Sequence, residues 1–173
     1  MHALFLNGTV GVGKTSVADA ISEREARPHA VVDLDEIRRF RPAAAGDPFN
    51  LELQLANVAA LVANFGVAGA QLGVVAGVIE SREDAERFRR AVGGQATFVR
   101  LTADAAVIEE RLRARHANDP DGLAWHLARA AELTAILDSA GIEGDVVDTG
   151  ADDMEVVAAR VLRSVAAGEA AQA

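Results

Sequence analysis

Ala3-Leu4-Phe5-Leu6-Asn7-Gly8-Thr9-Val10-Gly11-Val12-Gly13-Lys14-Thr15 opens the chain with an apolar run, a glycine-rich turn and a lysine–threonine pair. Residues 8–15 complete the pattern G-x-x-x-x-G-K-[ST], with a buried strand expected before it and a helix over Lys14 to about Arg24 after it. In that strand–loop–helix context the backbone N–H groups of Gly8, Thr9, Val10, Gly11, Val12, Gly13, Lys14, Thr15 and Ser16 are expected to gather on phosphate oxygens at the positive end of the helix. Glycines at 8, 11 and 13 permit the close approach and the unusual dihedrals. Lys14 is the only lysine among 17 basic residues. A chain that otherwise uses arginine keeps lysine where a compact ammonium fits between β- and γ-phosphate oxygens and a planar guanidinium is too wide. The expected ligands are therefore ATP, held by the loop and Lys14, and Mg²⁺, bound by the Thr15 hydroxyl.

The rest of the chain alternates in the same way. Further strands are expected at His29–Asp33, Gly73–Ile79, Ala96–Leu101 and about Gly144–Val147. Helices are expected at Leu34–Arg41, from Phe49 to about Leu72, from about Ser81 to Ala91, from Asp104 to Arg115, from Leu123 to about Ser139, and from Asp152 to about Val165. The breaker-rich stretch 116–122 reads as a polar lid loop and the tail 167–173 as frayed. Strands alternating with helices mean an α/β fold: five parallel strands, helices on both faces, and ligands at the carboxyl ends of the strands.

Composition bounds the function. The 173 residues, 50% of them hydrophobic, fit one domain spanning 1–173. No apolar run is long enough to span a membrane, no basic leader with an apolar core is visible, and there is no cysteine. The expectation is a cytoplasmic protein without disulfides or thiolate metal sites. A net charge of −9 repels nucleic acid and anionic membranes and favours a small-molecule partner. Monomer and homodimer both remain open.

Asp33-Leu34-Asp35 follows the second strand, so both carboxylates are expected at the sheet edge beside the phosphate loop. Asp33 is assigned to orienting and deprotonating an acceptor hydroxyl and to helping hold magnesium, and Asp35 to substrate contacts. The alternative for Asp35 is a helix N-cap. Arg111 and Arg115, one turn apart before the lid, can face the same ligand and neutralise charge on a moving phosphoryl group, whereas Arg113 on another face reads as solvated. Arg38, Arg39 and Arg129 are weaker candidates for a polar or anionic acceptor. His116 and His126 read as surface residues more readily than acid–base groups, and Trp125 as core or lid packing or as a cover for a substrate ring. The third strand carries no aspartate within it, which weakens the case for an AAA or RecA motor, and a single lysine leaves none for the N-K-x-D guanine motif.

With these residues in order, the chain resembles the small P-loop kinases of metabolites, the group of shikimate kinase, gluconate kinase and chloramphenicol phosphotransferase. The resemblance rests on the loop at 8–15, D-x-D at 33–35, R-x-x-x-R at 111–115, and Val147-Asp148-Thr149-Gly150 before the last helix. It implies an alcohol-phosphorylating enzyme with Asp33 beside the hydroxyl and magnesium, Asp35 on the acceptor, Arg111 and Arg115 on the phosphates, and Thr149-Gly150 bordering adenine. It also places acceptor-binding helices in the region 34–72. Shikimate kinase has three glycines after strand three, whereas this chain has Gly77 followed by Val-Ile-Glu, so another acceptor is expected. The sparsely charged stretch 49–72 suggests one with an apolar portion. A nucleoside or nucleoside-monophosphate kinase and a nucleotide-binding regulatory protein without transfer activity are the alternatives.

Overall fold

The first strand, β1 (His2–Asn7), is buried on both faces, as an uninterrupted apolar strand in a parallel sheet must be. In the computed structural model, which describes residues 1–150 and 152–172, β1 is the centre of an all-parallel sheet. Among the described residues the sheet has five strands: β1, β2 (His29–Asp33), β3 (Leu72–Gly77), β4 (Ala96–Thr102) and β5 (Asp145–Asp148), in the order β2-β3-β1-β4-β5. Asn7 lies level with Gly77 on one side and Arg100 on the other. The loop after β1 therefore leaves the sheet where successive strands change from one side of β1 to the other, the place at which open α/β sheets bind ligands.

Alternation along the strands builds two cores. Leu4, Leu6, Val74, Ala76, Val99 and Leu101 pack under helices α1 (Lys14–Arg24) and α7 (Met154–Gln172) through Val17, Ile21, Val157 and Val161. On the other face Phe5 stacks on Phe98, centroids 4.7 Å apart, and meets Phe88 edge-on at 5.8 Å. Helices α3 (Leu51–Val67) and α4 (Arg82–Ala91) cover that face. In α4 the Ser81 hydroxyl caps the Asp84 N–H, acids occupy the first turn and arginines the last, which matches the helix dipole at both ends.

The remaining helices are α2 (Leu34–Ile37), α5 (Ala105–Arg115) and α6 (Pro120–Ala140). Several expectations need correction here. Helix α3 ends at Val67 rather than about Leu72, which instead begins β3, and β3 ends at Gly77 rather than Ile79. Helix α2 stops at Ile37 rather than Arg41. The lid loop expected at 116–122 is shorter, because Asp119 caps the Gly122 N–H and Pro120 occupies the first turn, starting α6 three residues before Leu123. The tail is not frayed: α7 runs to Gln172, anchored where Glu169 pairs with Arg27 at 3.0 Å, and only Ala173 of that expectation lies outside the described residues. No helix among the described residues is long and apolar enough to cross a membrane.

Candidate active site

The phosphate loop takes its shape from its glycines. Gly11 and Gly13 have φ of 81° and 99°, and a Cβ on Gly8 would sit 2.9 Å from the Leu101 carbonyl oxygen. Val12 is fully buried beneath the loop, and the Thr9 hydroxyl donates to the Ala130 carbonyl of α6 at 2.9 Å. The loop is thus bolted to the sheet below and to α6 beside it. Lys14 closes it from within, its ammonium donating to the Gly8 and Thr9 carbonyls at 2.9 and 3.1 Å. Burial pushes the Lys14 pKa down to about 8, against the pull of Asp35 and Asp33; Arg100 and Arg115 add to the fall.

A cavity of about 580 Å³ opens above this loop. Val10, Gly11, Gly13, Lys14, Thr15 and Ser16 line it, and so do Asp33, Asp35, Arg38, Arg111, Arg115 and Arg129. Gly8, Thr9 and Val12 lie behind the cavity wall. Thr149 and Gly150, expected beside adenine, do not line it either. Thr149 is completely buried, and its hydroxyl donates to the Val12 carbonyl at 2.6 Å. Gly150 N–H donates to Asp148 Oδ1 at 2.8 Å. The loop of β5 thereby fixes the back of the phosphate loop.

Asp33 sits where β2 ends. One carboxylate oxygen, Oδ1, accepts from the Asp35 N–H at 2.8 Å, so Asp33, not Asp35, caps α2. The other, Oδ2, faces the Thr15 hydroxyl at 3.4 Å. Thr15 and Asp33 thus present oxygens to one point, a donor set that suits a hard cation completing its shell with phosphate and water oxygens. No cluster of three or more His, Cys, Asp or Glu side chains with metal-binding geometry occurs among the described residues, so an all-protein metal cage is not what this site offers.

The arginines divide. Arg111 donates to the Val12 carbonyl, the Thr149 hydroxyl and the Thr149 carbonyl at 3.1, 3.1 and 2.7 Å, so it braces the phosphate loop while facing the cavity. Arg115 is exposed, with no hydrogen bond or ion pair to a carboxylate among the described residues, and its charge reaches Lys14. Arg113 pairs with Glu109 at 2.6 Å on the solvent side, as its helix face implies. Arg38 pairs with Asp35 at 2.5 Å, Arg39 with Glu36 at 2.8 Å, and Arg129 with Glu80 and Glu132.

Several residues were placed differently by sequence reasoning or missed by it. Trp125 is 58% exposed and lines the cavity, so it is not core. His116 is not a surface residue: its side chain is 12% exposed and stacks on His126 at 4.3 Å. Phe49, Glu36 and Glu80 join the cavity wall without any motif to announce them. Arg100 is 4% exposed in the middle of β4 and pairs with Asp138 at 3.2 Å, and its Nε and Nη1 have no hydrogen-bond partner among the described residues. A charge inside Phe98-Val99-Arg100-Leu101 was the available signal, since buried parallel strands rarely carry one.

Comparison with known proteins agrees with this architecture. Residues 4–134 match the family described as AAA domain, and the chain belongs to it. Strand β3 carries no acid: it ends at Gly77, and the next carboxylate is Glu80. No curated protein matches the sequence. Among solved structures the fold is similar to that of a tunicamycin resistance protein from Deinococcus radiodurans. The TM-score is 0.68 and the identity 22%, with 95% of each chain covered. It is similar to a gluconokinase from Sinorhizobium meliloti 1021 (TM-score 0.67, 20% identity, 96% of this chain and 92% of that one). It is also similar to a shikimate kinase from Acinetobacter baumannii solved with shikimate (TM-score 0.62, 18% identity, 98% and 95% covered).

Proposed function

We propose that this member of the AAA-domain family is an ATP- and Mg²⁺-dependent phosphotransferase that moves the γ-phosphoryl group to a hydroxyl of a small molecule. The observation that carries the reading is the meeting of Lys14, Thr15, Asp33 and Arg115 around one cavity at the carboxyl ends of β1 and β2. The fold shared with a gluconokinase and a shikimate kinase supports it.

In this reading the loop amides and Lys14 hold the triphosphate, Lys14 exchanging the Gly8 and Thr9 carbonyls for phosphate oxygens. Thr15 directly and Asp33 through water would hold magnesium, which when bound would draw charge from the phosphate oxygens. Asp33, its Oδ1 fixed by the Asp35 N–H, keeps Oδ2 available to orient the acceptor hydroxyl and take its proton. Arg115, exposed at the cavity wall, meets charge on the equatorial oxygens as transfer proceeds. Arg111 keeps the loop in register.

The test is acceptor-dependent ADP formation across a panel of small alcohols. Lys14→Met is expected to abolish turnover, and Asp33→Asn to bind ATP without transferring its phosphoryl group. Undiminished transfer by Asp33→Asn would remove the base assignment.

A further inference from the structure

Away from the loop, the cavity is walled by α2, the residues before α3, the segment after β3, and α6. These bring Asp35, Arg38, Phe49, Glu80, Trp125 and Arg129 together. Two of the cavity's guanidinium groups are already held on this side, whereas Arg115, whose charge reaches Lys14, belongs to the phosphate-loop side. Arg38 donates to Asp35 at 2.5 Å; Arg129 donates to Glu80 and, at 2.7 Å, to Glu132. Both also lie over the Phe49 ring, 5.7 and 5.6 Å from its centre, so ring and carboxylates fix them jointly. An incoming carboxylate or phosphate must share a guanidinium with the carboxylate that already holds it, and so brings its own negative charge beside that partner's. What these walls leave open is two aromatic residues beside two carboxylates: Trp125 is 58% exposed and Phe49 50%, with the Asp35 and Glu80 side chains also reaching solvent.

We propose that this part of the cavity selects an uncharged alcohol carrying a flat ring, and that Asp35 and Glu80, by holding Arg38 and Arg129, exclude carboxylated and phosphorylated alcohols. The ring lies against Trp125, where one face of a planar group gains contact without displacing an ion pair. Gluconate-like and nucleoside-monophosphate-like acceptors fall on the excluded side. The term acceptor rests on the phosphotransferase reading, but the selectivity is a property of binding and is measurable without turnover.

Trp125 is the only tryptophan of the chain, so its indole N–H signal reports on this wall alone. The full chain is titrated with benzyl alcohol and with benzoate, which share a ring and differ in charge. Each titration is run with and without a non-hydrolysable ATP analogue. Benzyl alcohol is expected to move the signal at about a tenfold lower concentration than benzoate, and Asp35→Asn, which releases Arg38, to narrow that ratio. Glu80→Gln is the second variant and should narrow it through Arg129. Benzoate binding as well as the alcohol, a ratio unchanged in both variants, or an indole signal that neither fragment moves would each overturn the proposal. Failure of the phosphotransferase reading looks different: fragment selectivity would persist in a protein that binds no ATP.

Discussion

The Asp33 carboxylate faces the Thr15 hydroxyl across 3.4 Å while its other oxygen caps α2 through the Asp35 N–H at 2.8 Å. One residue thus anchors the start of a helix and offers an oxygen to the cavity, which separates two substitutions that would otherwise look alike. Asparagine keeps the capping oxygen, so Asp33→Asn should melt within a degree or two of the parent and lose about 10²-fold or more in transfer rate. Asp33→Ala should lose the same activity and about 1 kcal/mol of stability as well. Thermal melts beside single-turnover rates check the pair.

Arg115 pairs with no carboxylate among the described residues and is exposed, so its removal should leave the fold alone. Arg115→Ala is expected to keep the parent melting temperature and to lose about 10²-fold in kcat, with a smaller change in KM for ATP. A large drop in stability, or an unchanged kcat, would assign Arg115 elsewhere.

Lys14 titrates near 8 in the unliganded protein, well below the ordinary lysine value of 10.5, because burial disfavours its charge. Below pH 8 the ammonium is already charged and ATP binding moves few protons; as pH rises through 8 the neutral amine must take up a proton to meet the phosphates. ATP affinity should therefore fall from about pH 8 upward, with proton uptake visible as a calorimetric heat that depends on the buffer's ionisation enthalpy. For folding the sign is opposite. Between 8 and 10.5 the unfolded chain binds more protons at this residue than the folded one, so Lys14 alone makes stability rise with pH in that window. Lys14→Arg should restore neither affinity nor turnover, since a planar fork cannot occupy the place between the Gly8 and Thr9 carbonyls.

The Thr149 hydroxyl bonds to the Val12 and Thr102 carbonyls at 2.6 and 3.2 Å and accepts from Arg111. Thr149→Val keeps the shape and removes these bonds from a site sealed from water. It should cost about 1–3 kcal/mol in denaturant unfolding and weaken ATP binding through a loosened loop.

A Cβ on Gly77 would fall 2.5–2.7 Å from three carbons of Leu34, the residue that follows Asp33. Gly77→Ala should therefore push α2 off the end of β3, costing about 1–3 kcal/mol and lowering kcat through a displaced Asp33. An alanine variant with parent stability and parent activity would show that α2 can yield without moving Asp33.

The sequence makes the sheet legible because parallel strands buried on both faces are written as apolar runs, and Gly8–Thr15 places the ligand end without any coordinates. It makes Lys14, Thr15, Asp33 and Arg115 legible because each stands at a fixed offset from a strand or helix end. Order along the chain brings Thr149 to the ligand end, but only packing reveals that its hydroxyl turns inward to Val12. Phe49, Glu80 and Trp125 reach the cavity from three separate segments, and no local pattern records such a meeting. The early start of α6 was hidden by composition, since Asp119, Pro120 and Gly122 are breakers in a loop and a cap with a first turn in a helix.

Nucleotide binding by the loop at Gly8–Thr15 underlies every role assigned to Lys14, Thr15, Asp33 and Arg115. Calorimetric titration of the full chain with ATP and Mg²⁺ at pH 7, repeated with Lys14→Met, reads it without any assumption about the acceptor. Saturable heat at one site in the parent, lost in Lys14→Met, is the expected result. No heat from ATP, ADP or GTP with magnesium present, or equal binding by Lys14→Met, would contradict it.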